Sequence, residues 1–482
     1  MELTRREFAK ESLAALGFLA LPGGLFAAPA GWKLSKKPNL VFGILTDTHL
    51  MVEWDGKSLY RSMTLDYIRK AFKLFKARGI DAFVHLGDAS HRGCVREWEF
   101  HKEVFHEVFG KKDAPEKIII VGNHELMGGE GHCKGVYKDQ ALWRENAICA
   151  DVARHYERVW GEPYLEFFRK EVKGYHFFGR HWTDAEYKGT REKPFSDFIL
   201  SKVGDCALKG EKPFFILSHR RHHFHFCQAL GGFPNAVAFM GHWHLSNADW
   251  KSIYYDRDTF GGFFPHIEVG ACRYDGHNGL YRPDEIKLPE DSSSFAGNNQ
   301  PSRQAMIVNV YDDMVVFERH EVDQGGKLGV DWVLPFGEHK PHPFSKEELK
   351  KTVGEPEFGK KAKLVVAKGT QATKATKGTK KGDSVASVPS LKIKIPMADG
   401  NPESRVYAYE IVVVGDDPKA KLFMNAFFVG ANAGIGHEPN RGITEVEIPV
   451  SELPPGKKLT IAVRPVSSLG TKGKTIGTTM RV

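Results

Sequence analysis

No apolar run in this 482-residue chain reaches the roughly 18 residues that suggest a membrane-spanning helix, so no such helix is expected. No CxxC pair occurs, and the cysteines (Cys94, Cys133, Cys149, Cys206, Cys227 and Cys272) all fall in the first two-thirds of the chain. A thiolate zinc site is therefore not expected, and no spacing singles out one disulfide pairing. Acidic residues are missing from positions 358–382, which hold Lys360, Lys361, Lys363, Lys368, Lys374, Lys377, Lys380 and Lys381 and so account for the whole formal charge of +8. The rest is nearly neutral, and a nucleic-acid groove is not indicated. A chain that is 41% hydrophobic and 27% charged is that of a globular protein, long enough for two or three domains.

At the N-terminus, Thr4-Arg-Arg-Glu-Phe-Ala-Lys10 precedes the apolar Leu13-Ala-Ala-Leu-Gly-Phe-Leu-Ala20, and Ala28-Pro-Ala30 supplies small residues for cleavage. This resembles a bacterial twin-arginine export signal over residues 1–30. It implies a periplasmic or secreted mature chain beginning near Gly31.

The next 300 residues alternate strand and helix signals. Leu40-Val-Phe-Gly-Ile-Leu45, Ala82-Phe-Val-His-Leu86 and Lys117-Ile-Ile-Ile-Val121 have the length of buried strands. Between the first two, Leu65, Ile68, Phe72 and Phe75 recur at helical spacing and Gly79 can end the helix. A second helix is expected from Glu97 to Phe109, and short apolar runs follow at 214–217 and 236–240. The order βαβαβ predicts an α/β fold with parallel strand pairs.

Each strand is followed by polar residues: Asp47-Thr-His49, Gly87-Asp88, Gly122-Asn-His-Glu125, Ser218-His219 and Gly241-His-Trp-His244. Ligands of open α/β sheets gather at the carboxyl ends of strands, so these corners can converge. If 238–244 is all strand, His242 and His244 share a face and could meet one ion. The donors are aspartate, asparagine and histidine, a set larger than one tetrahedral zinc uses. It suits two divalent transition-metal ions, Mn, Fe, Zn or Co. A carboxylate such as Asp88 can bridge two ions, and a hydroxide held between them is a nucleophile at neutral pH.

These five motifs, in this order and over residues 38–345, resemble the calcineurin-like metallophosphoesterases. The resemblance implies a four-layer αββα sandwich and hydrolysis of a phosphomonoester or phosphodiester, with a small-molecule, lipid-linked or glycan-linked substrate. By the same resemblance one ion takes Asp47, His49, His244 and the shared Asp88, and the other takes Asp88, Asn123, His219 and His242. His124 then acts on the phosphoryl group or the leaving oxygen. The two histidines of the last corner are thereby split between ions, and Trp243 faces away and packs.

Departures bear on substrate. After Asp88 the chain reads Ala89-Ser-His-Arg-Gly93, where serine/threonine phosphatases resemble GDxVDRG and purple acid phosphatases place a tyrosine ligand. His91 stands at the position in question, which disfavours the purple acid subgroup. Arg92 is retained, so His91 and Arg92 are candidate substrate contacts, with Arg220, Arg221 and His222 from His219-Arg-Arg-His-His-Phe-His225. A solvated charge run is the alternative for that last group. Glu125 either orients a ligand or faces water, and the aromatics of 177–182 either pack in the core or line the pocket.

Residues 346–388, including the low-complexity Gly369-Thr-Gln-Ala-Thr-Lys-Ala-Thr-Lys-Gly-Thr-Lys-Lys-Gly382, read as a flexible linker. Alternating Leu391-Lys-Ile-Lys-Ile395 and Leu459-Thr-Ile-Ala-Val463, with the turn Pro454-Pro-Gly456, predict a small β-sandwich over 389–482. It resembles an immunoglobulin- or fibronectin type III-like domain, with Leu459 where a corner tyrosine is usual. A surface glycan or a protein partner is expected there. The competing reading of the whole chain is a non-catalytic surface binding protein or adhesin on a relic phosphoesterase domain, which a missing ligand would have favoured.

Overall fold

The computed structural model describes residues 37–54, 59–61, 64–126, 145–183, 192–203, 212–233, 235–244, 247, 252–254, 264–273, 303–312, 314–323, 325, 327, 331–335, 355–372, 387–399, 406–416, 421–427, 443–467 and 471–481. The export-signal region, residues 127–144 with Cys133, and Cys206 lie outside them.

The expected βαβαβ order is present. It runs β1 (Leu40–Leu45), α1 (Thr64–Arg78), β2 (Ala82–His85), α2 (Val95–Phe109) and β3 (Glu116–Ile119). The helical spacing of Leu65, Ile68, Phe72 and Phe75 puts all four on one face, and each is buried. Gly79 ends that helix in a left-handed turn at φ 65°. The chain continues through α3 (Asn123–Leu126), α4 (Val152–Trp160), β4 (Phe167–Val172), β5 (Tyr175–Arg180), α5 (Glu192–Val203), β6 (Phe214–Ser218), α6 (Phe224–Ala229) and β7 (Ala236–Met240). After these come β8 (Ile253–Tyr254), β9 (His266–Glu268), β10 (Gln304–Val310), β11 (Met314–Glu321) and β12 (Trp332–Pro335).

These strands form two six-stranded sheets, ordered β12-β11-β10-β1-β2-β3 and β8-β9-β7-β6-β5-β4. In the first, β1, β2 and β3 are parallel and β10 closes on β1 antiparallel. In the second, β5, β6, β7 and β9 are parallel. The antiparallel strands β10–β12 were not part of the sequence expectation.

Apolar clusters reveal the layering. Phe42, Ile44 and Val84 of the first sheet pack with Phe177, Phe215 and Phe239 of the second. The opposite face of the first sheet is covered by α1, α2 and α4, and that of the second by α5 and α6. Runs that are buried on both faces are what parallel strands covered by helices require.

Beyond residue 355 the regular structure of the described chain is β-strand, apart from one 3-10 turn at Val450–Glu452. β13 (Val365–Ala372), β14 (Ser387–Pro396) and β17 (Ile443–Pro449) make one sheet; β15 (Val406–Val414), β16 (Lys421–Phe427), β18 (Lys458–Ser467) and β19 (Ile476–Arg481) make another. Their shared core includes Ile393, Tyr409, Ile411, Leu459 and Ile461. The Tyr409 hydroxyl donates to the Pro396 carbonyl at 3.2 Å and accepts from the Ala398 N–H at 2.9 Å.

The expected linker is corrected by this structure. Val365–Ala372 is a strand that pairs antiparallel with β14, from Val365 opposite Lys394 to Ala372 opposite Ser387. Its Lys/Thr/Gly composition looked unable to fold because strand pairing uses backbone groups, which composition does not display. Residues 373–386 lie outside the described set.

Candidate metal centre

The five corners do converge. Thr46 to His49 leave β1, Gly87 and Asp88 follow β2, Asn123 begins α3, His219 follows β6, and His242 and His244 follow β7. Backbone bonds lace the corners together: Asp47 N–H to Gly87 O at 3.0 Å, His49 N–H to Asp88 O at 2.8 Å, and Gly241 N–H to His219 O at 3.1 Å. A side chain on Gly87, which sits at φ 102°, would meet Nδ1 of His219 at 2.6 Å.

The backbone at these positions is unusual. Asp47 (φ 50°), His49 (39°), Asp88 (55°), His242 (71°) and His244 (53°) are left-handed. Among the other described non-glycine residues only Lys173 and Arg303 share that conformation. Such corners are sparsely populated by L-residues and gather at functional sites. They also defeat strand alternation, so His242 and His244 aim at different partners.

Two donor groups result. In one, His244 Nε2 is 3.0 Å from Asp47 Oδ1 and 3.1 Å from His49 Nε2, and His49 Nε2 is 3.6 Å from Asp88 Oδ2. In the other, His219 Nε2 is 3.2 Å from Asp88 Oδ2 and 3.0 Å from Asn123 Oδ1, and His242 Nδ1 is 2.9 Å from that same amide oxygen. Asp88 belongs to both.

The chemistry of the donors fits divalent cations. Ligands about 2.0–2.2 Å from one first-row ion stand roughly 3.0–3.5 Å from each other, which is the spacing found. Asp47 Oδ1 is fully buried and accepts no hydrogen bond, although imidazole nitrogens surround it. His219 lies with Nδ1 2.8 Å from the Leu86 carbonyl; a carbonyl only accepts, so Nδ1 carries the hydrogen and the Nε2 lone pair faces two oxygens. Lone pairs converging in a buried space call for a cation between them.

Electrostatics show the same demand for positive charge: the Asp88 and Asp47 carboxylates attract a proton to His219, and the neutral ring with its Nε2 lone pair turned to them requires a cation in that proton's place. Burial opposes charge on His219, but Asp88 and Asp47 outweigh it and lift its pKa to about 10. Burial likewise opposes charge on Asp88, yet His219 and His49 hold it well below the usual carboxylate range. His49 and His242 are driven down to about 4, mainly by burial, and are neutral imidazoles at pH 7, the form that can donate a lone pair to a cation.

Around this core, Glu125 is buried and accepts from the backbone N–H groups of Asp88 (3.0 Å), Ser90 (2.8 Å) and Gly122 (2.7 Å), and from Trp98 Nε1 (3.3 Å). It ties the Asp88 turn to the α3 corner instead of facing water. His124 is half-buried; its backbone N–H donates to Asp88 Oδ1 at 2.9 Å and its Nδ1 lies 3.0 Å from the His91 carbonyl. Its ring sits 4.5 Å from that of His49.

The expected substrate contacts divide. His91 is at the site with its Nδ1 3.5 Å from Nδ1 of His49; burial, with Arg273 and His49 beside it, drives its pKa to about 2. Arg92 is half-buried next to it. Arg220 is close enough to His242 to disfavour its protonation. Arg221 turns toward Glu268, 3.9 Å away.

His222 is a correction. It is 1% exposed, stacked on Phe226 with ring centroids 3.9 Å apart and 3.4 Å from Glu192, so it is a core residue beneath α5 and α6. Trp243 is a second correction. Both neighbours turn their side chains inward from left-handed corners, and its indole is 42% exposed.

Sequence reasoning left Trp182 open and missed Arg273 and Glu268 as site elements. Trp182, for which core packing and pocket lining were both open, is buried and lies against the imidazoles of His242 and His219, at 5.3 and 5.8 Å between centroids. Arg273 donates to the His49 carbonyl at 2.7 Å. Glu268 is buried with neither carboxylate oxygen hydrogen-bonded, and burial above all raises its pKa to about 8. A hint existed only for Trp182, which stands two residues past the end of β5 at Arg180.

Residues 40–246 match the family model described as calcineurin-like phosphoesterase. This stretch of the chain is a calcineurin-like metallophosphoesterase domain. The protein is accordingly a hydrolase of phosphoester bonds. Among solved structures, the chain is similar to a dimetal phosphatase from Danio rerio, at 10% identity over 62% of this chain and 100% of that one, with a TM-score of 0.37. It is also similar to a purple acid phosphatase from yellow lupin seeds, at 14% identity over 62% and 55% with a TM-score of 0.39. A third is the phosphoesterase YfcE from E. coli, at 12% identity over 60% and 96% with a TM-score of 0.25. No curated protein matches the chain.

Proposed function

We propose that the protein is a dinuclear metallophosphoesterase, exported by its N-terminal signal, that hydrolyses a phosphomonoester or phosphodiester. One ion would be held by Asp47, His49, Asp88 and His244, and the other by Asp88, Asn123, His219 and His242. The observation that carries this reading is that two of the three donor groups among the described residues, Asp47/His49/Asp88/His244 and Asp88/His219/His242, share Asp88. When bound, two such ions neutralise phosphoryl charge and lower the pKa of water.

The chain's own residues do the rest. The His91 carbonyl only accepts, so Nδ1 of His124 carries a hydrogen and Nε2 is the nitrogen left to hold or release a proton at the leaving oxygen. Arg92 and Arg220 supply positive charge for the phosphate. The C-terminal sheets serve as a fibronectin-like docking module for a surface glycan or protein.

The test is a panel of phosphomonoesters and phosphodiesters assayed with the full chain, stripped by chelator and then reloaded with Mn, Fe, Zn or Co. Turnover that vanishes on stripping and returns on reloading is expected. A chain that binds no transition metal and cleaves no ester would overturn the proposal.

A further inference from the structure

His91 stands three residues after Asp88, on a turn fixed at both ends. Its backbone N–H donates to the Leu50 carbonyl at 3.0 Å, and that of Ser90 donates to Glu125 at 2.8 Å. From there it touches two imidazoles of the site. Its Nδ1 is 3.5 Å from Nδ1 of His49, its carbonyl is 3.0 Å from Nδ1 of His124, and its ring stacks on that of His124 at 5.5 Å and 20°.

Proton positions follow from what each partner can do. Nε2 of His49 faces Asp47, Asp88 and His244, so a ligating lone pair belongs there and the hydrogen belongs on Nδ1. That hydrogen needs a lone pair to receive it, which makes Nδ1 the unprotonated nitrogen of His91. The two contacts thus select one tautomer in each of His49 and His124.

We propose that His91 is a positioning residue, bracing His49 through its ring nitrogen and His124 through its backbone carbonyl. A ligand imidazole that donates its outer N–H is held in one orientation, and losing such a partner typically costs about 10–100-fold in metal affinity. The inference rests on the two-ion reading. It separates His91 from a mere packing ring, because an asparagine oxygen can occupy the place of Nδ1 whereas phenylalanine keeps the ring without any lone pair.

The full chain, stripped of metal, is titrated calorimetrically with Mn²⁺ and separately with Zn²⁺, comparing wild type, His91→Asn and His91→Phe. His91→Phe is expected to weaken one of two ions about 10–100-fold and leave the other within about threefold. It should also lower kcat with little change in KM, and His91→Asn should recover most of both losses. Should His91→Phe not fold, His91→Leu makes the same comparison. Wild-type affinity for both ions in the variant without a ring nitrogen would overturn the inference, as would equal losses in the Asn and Phe variants. A wild-type chain that takes up no ion would instead defeat the two-ion reading, and the inference with it.

Discussion

Asp47 and His242 are joined directly: the His242 backbone N–H donates to Asp47 Oδ2 at 2.9 Å across 195 residues of sequence. The bond ties the end of β1 in one sheet to the end of β7 in the other, and Gly241 makes it feasible. A methyl group there would come within 2.0 Å of Thr46 Oγ1 and 2.4 Å of Asp47 Oδ2. Gly241→Ala should therefore displace Asp47, cost about 1–3 kcal/mol of stability and weaken metal binding. Urea melts paired with metal titration check it; unchanged values in both would refute it.

Asp88 is the donor common to both groups, whereas His244 belongs to one. Asp88→Asn should lower the content of both ions, and His244→Ala that of one only. Metal analysis of the dialysed, reloaded chains distinguishes them; equal stoichiometry in the two variants would contradict the shared-ligand arrangement.

For His124 the expectation is different in kind. Its side chain is not among the proposed ligands, so His124→Ala should keep both ions while kcat falls about 10²–10⁴-fold, the usual worth of a positioned proton donor. Loss of metal in this variant would move His124 into the ligand set.

Glu192 sets an acid limit on stability. Burial opposes its charge, but His222 and Arg180 outweigh that and pull its pKa to about 2 from an ordinary 4.5. A carboxyl held lower in the folded than in the unfolded chain contributes stability above pH 4.5, and that contribution is lost as pH falls toward 2. Glu192→Gln, which leaves Arg180 without its 3.0 Å carboxylate contact, should cost on the order of 3 kcal/mol at neutral pH. It should also flatten the decline of stability between those two pH values, as denaturant melts in an acid series would reveal.

Much of this was legible in the sequence because the signals are local. Buried parallel strands are short and apolar, their ends carry polar residues, and helices betray themselves by spacing. The assignment of His242 and His244 to different ions came from resemblance; its physical basis, two left-handed residues flanking Trp243, is invisible to a reading that assumes strand alternation. His222 was misplaced because a run of charges looks solvated until a neighbouring strand and helix close over it. Arg273 and Glu268 reach the site from segments with no motif of their own, and strand β13 was hidden by composition that says nothing about backbone pairing.

The left-handed corners set stability against function. Each costs roughly 1 kcal/mol for a residue with a side chain, so together they withhold an amount comparable to the margin that keeps a domain folded. Glycine at any one of them would relieve that strain and erase a donor. A chain that served only as a scaffold would be more stable with glycine at these corners, so the aspartates and histidines there hold donors in place at the expense of stability.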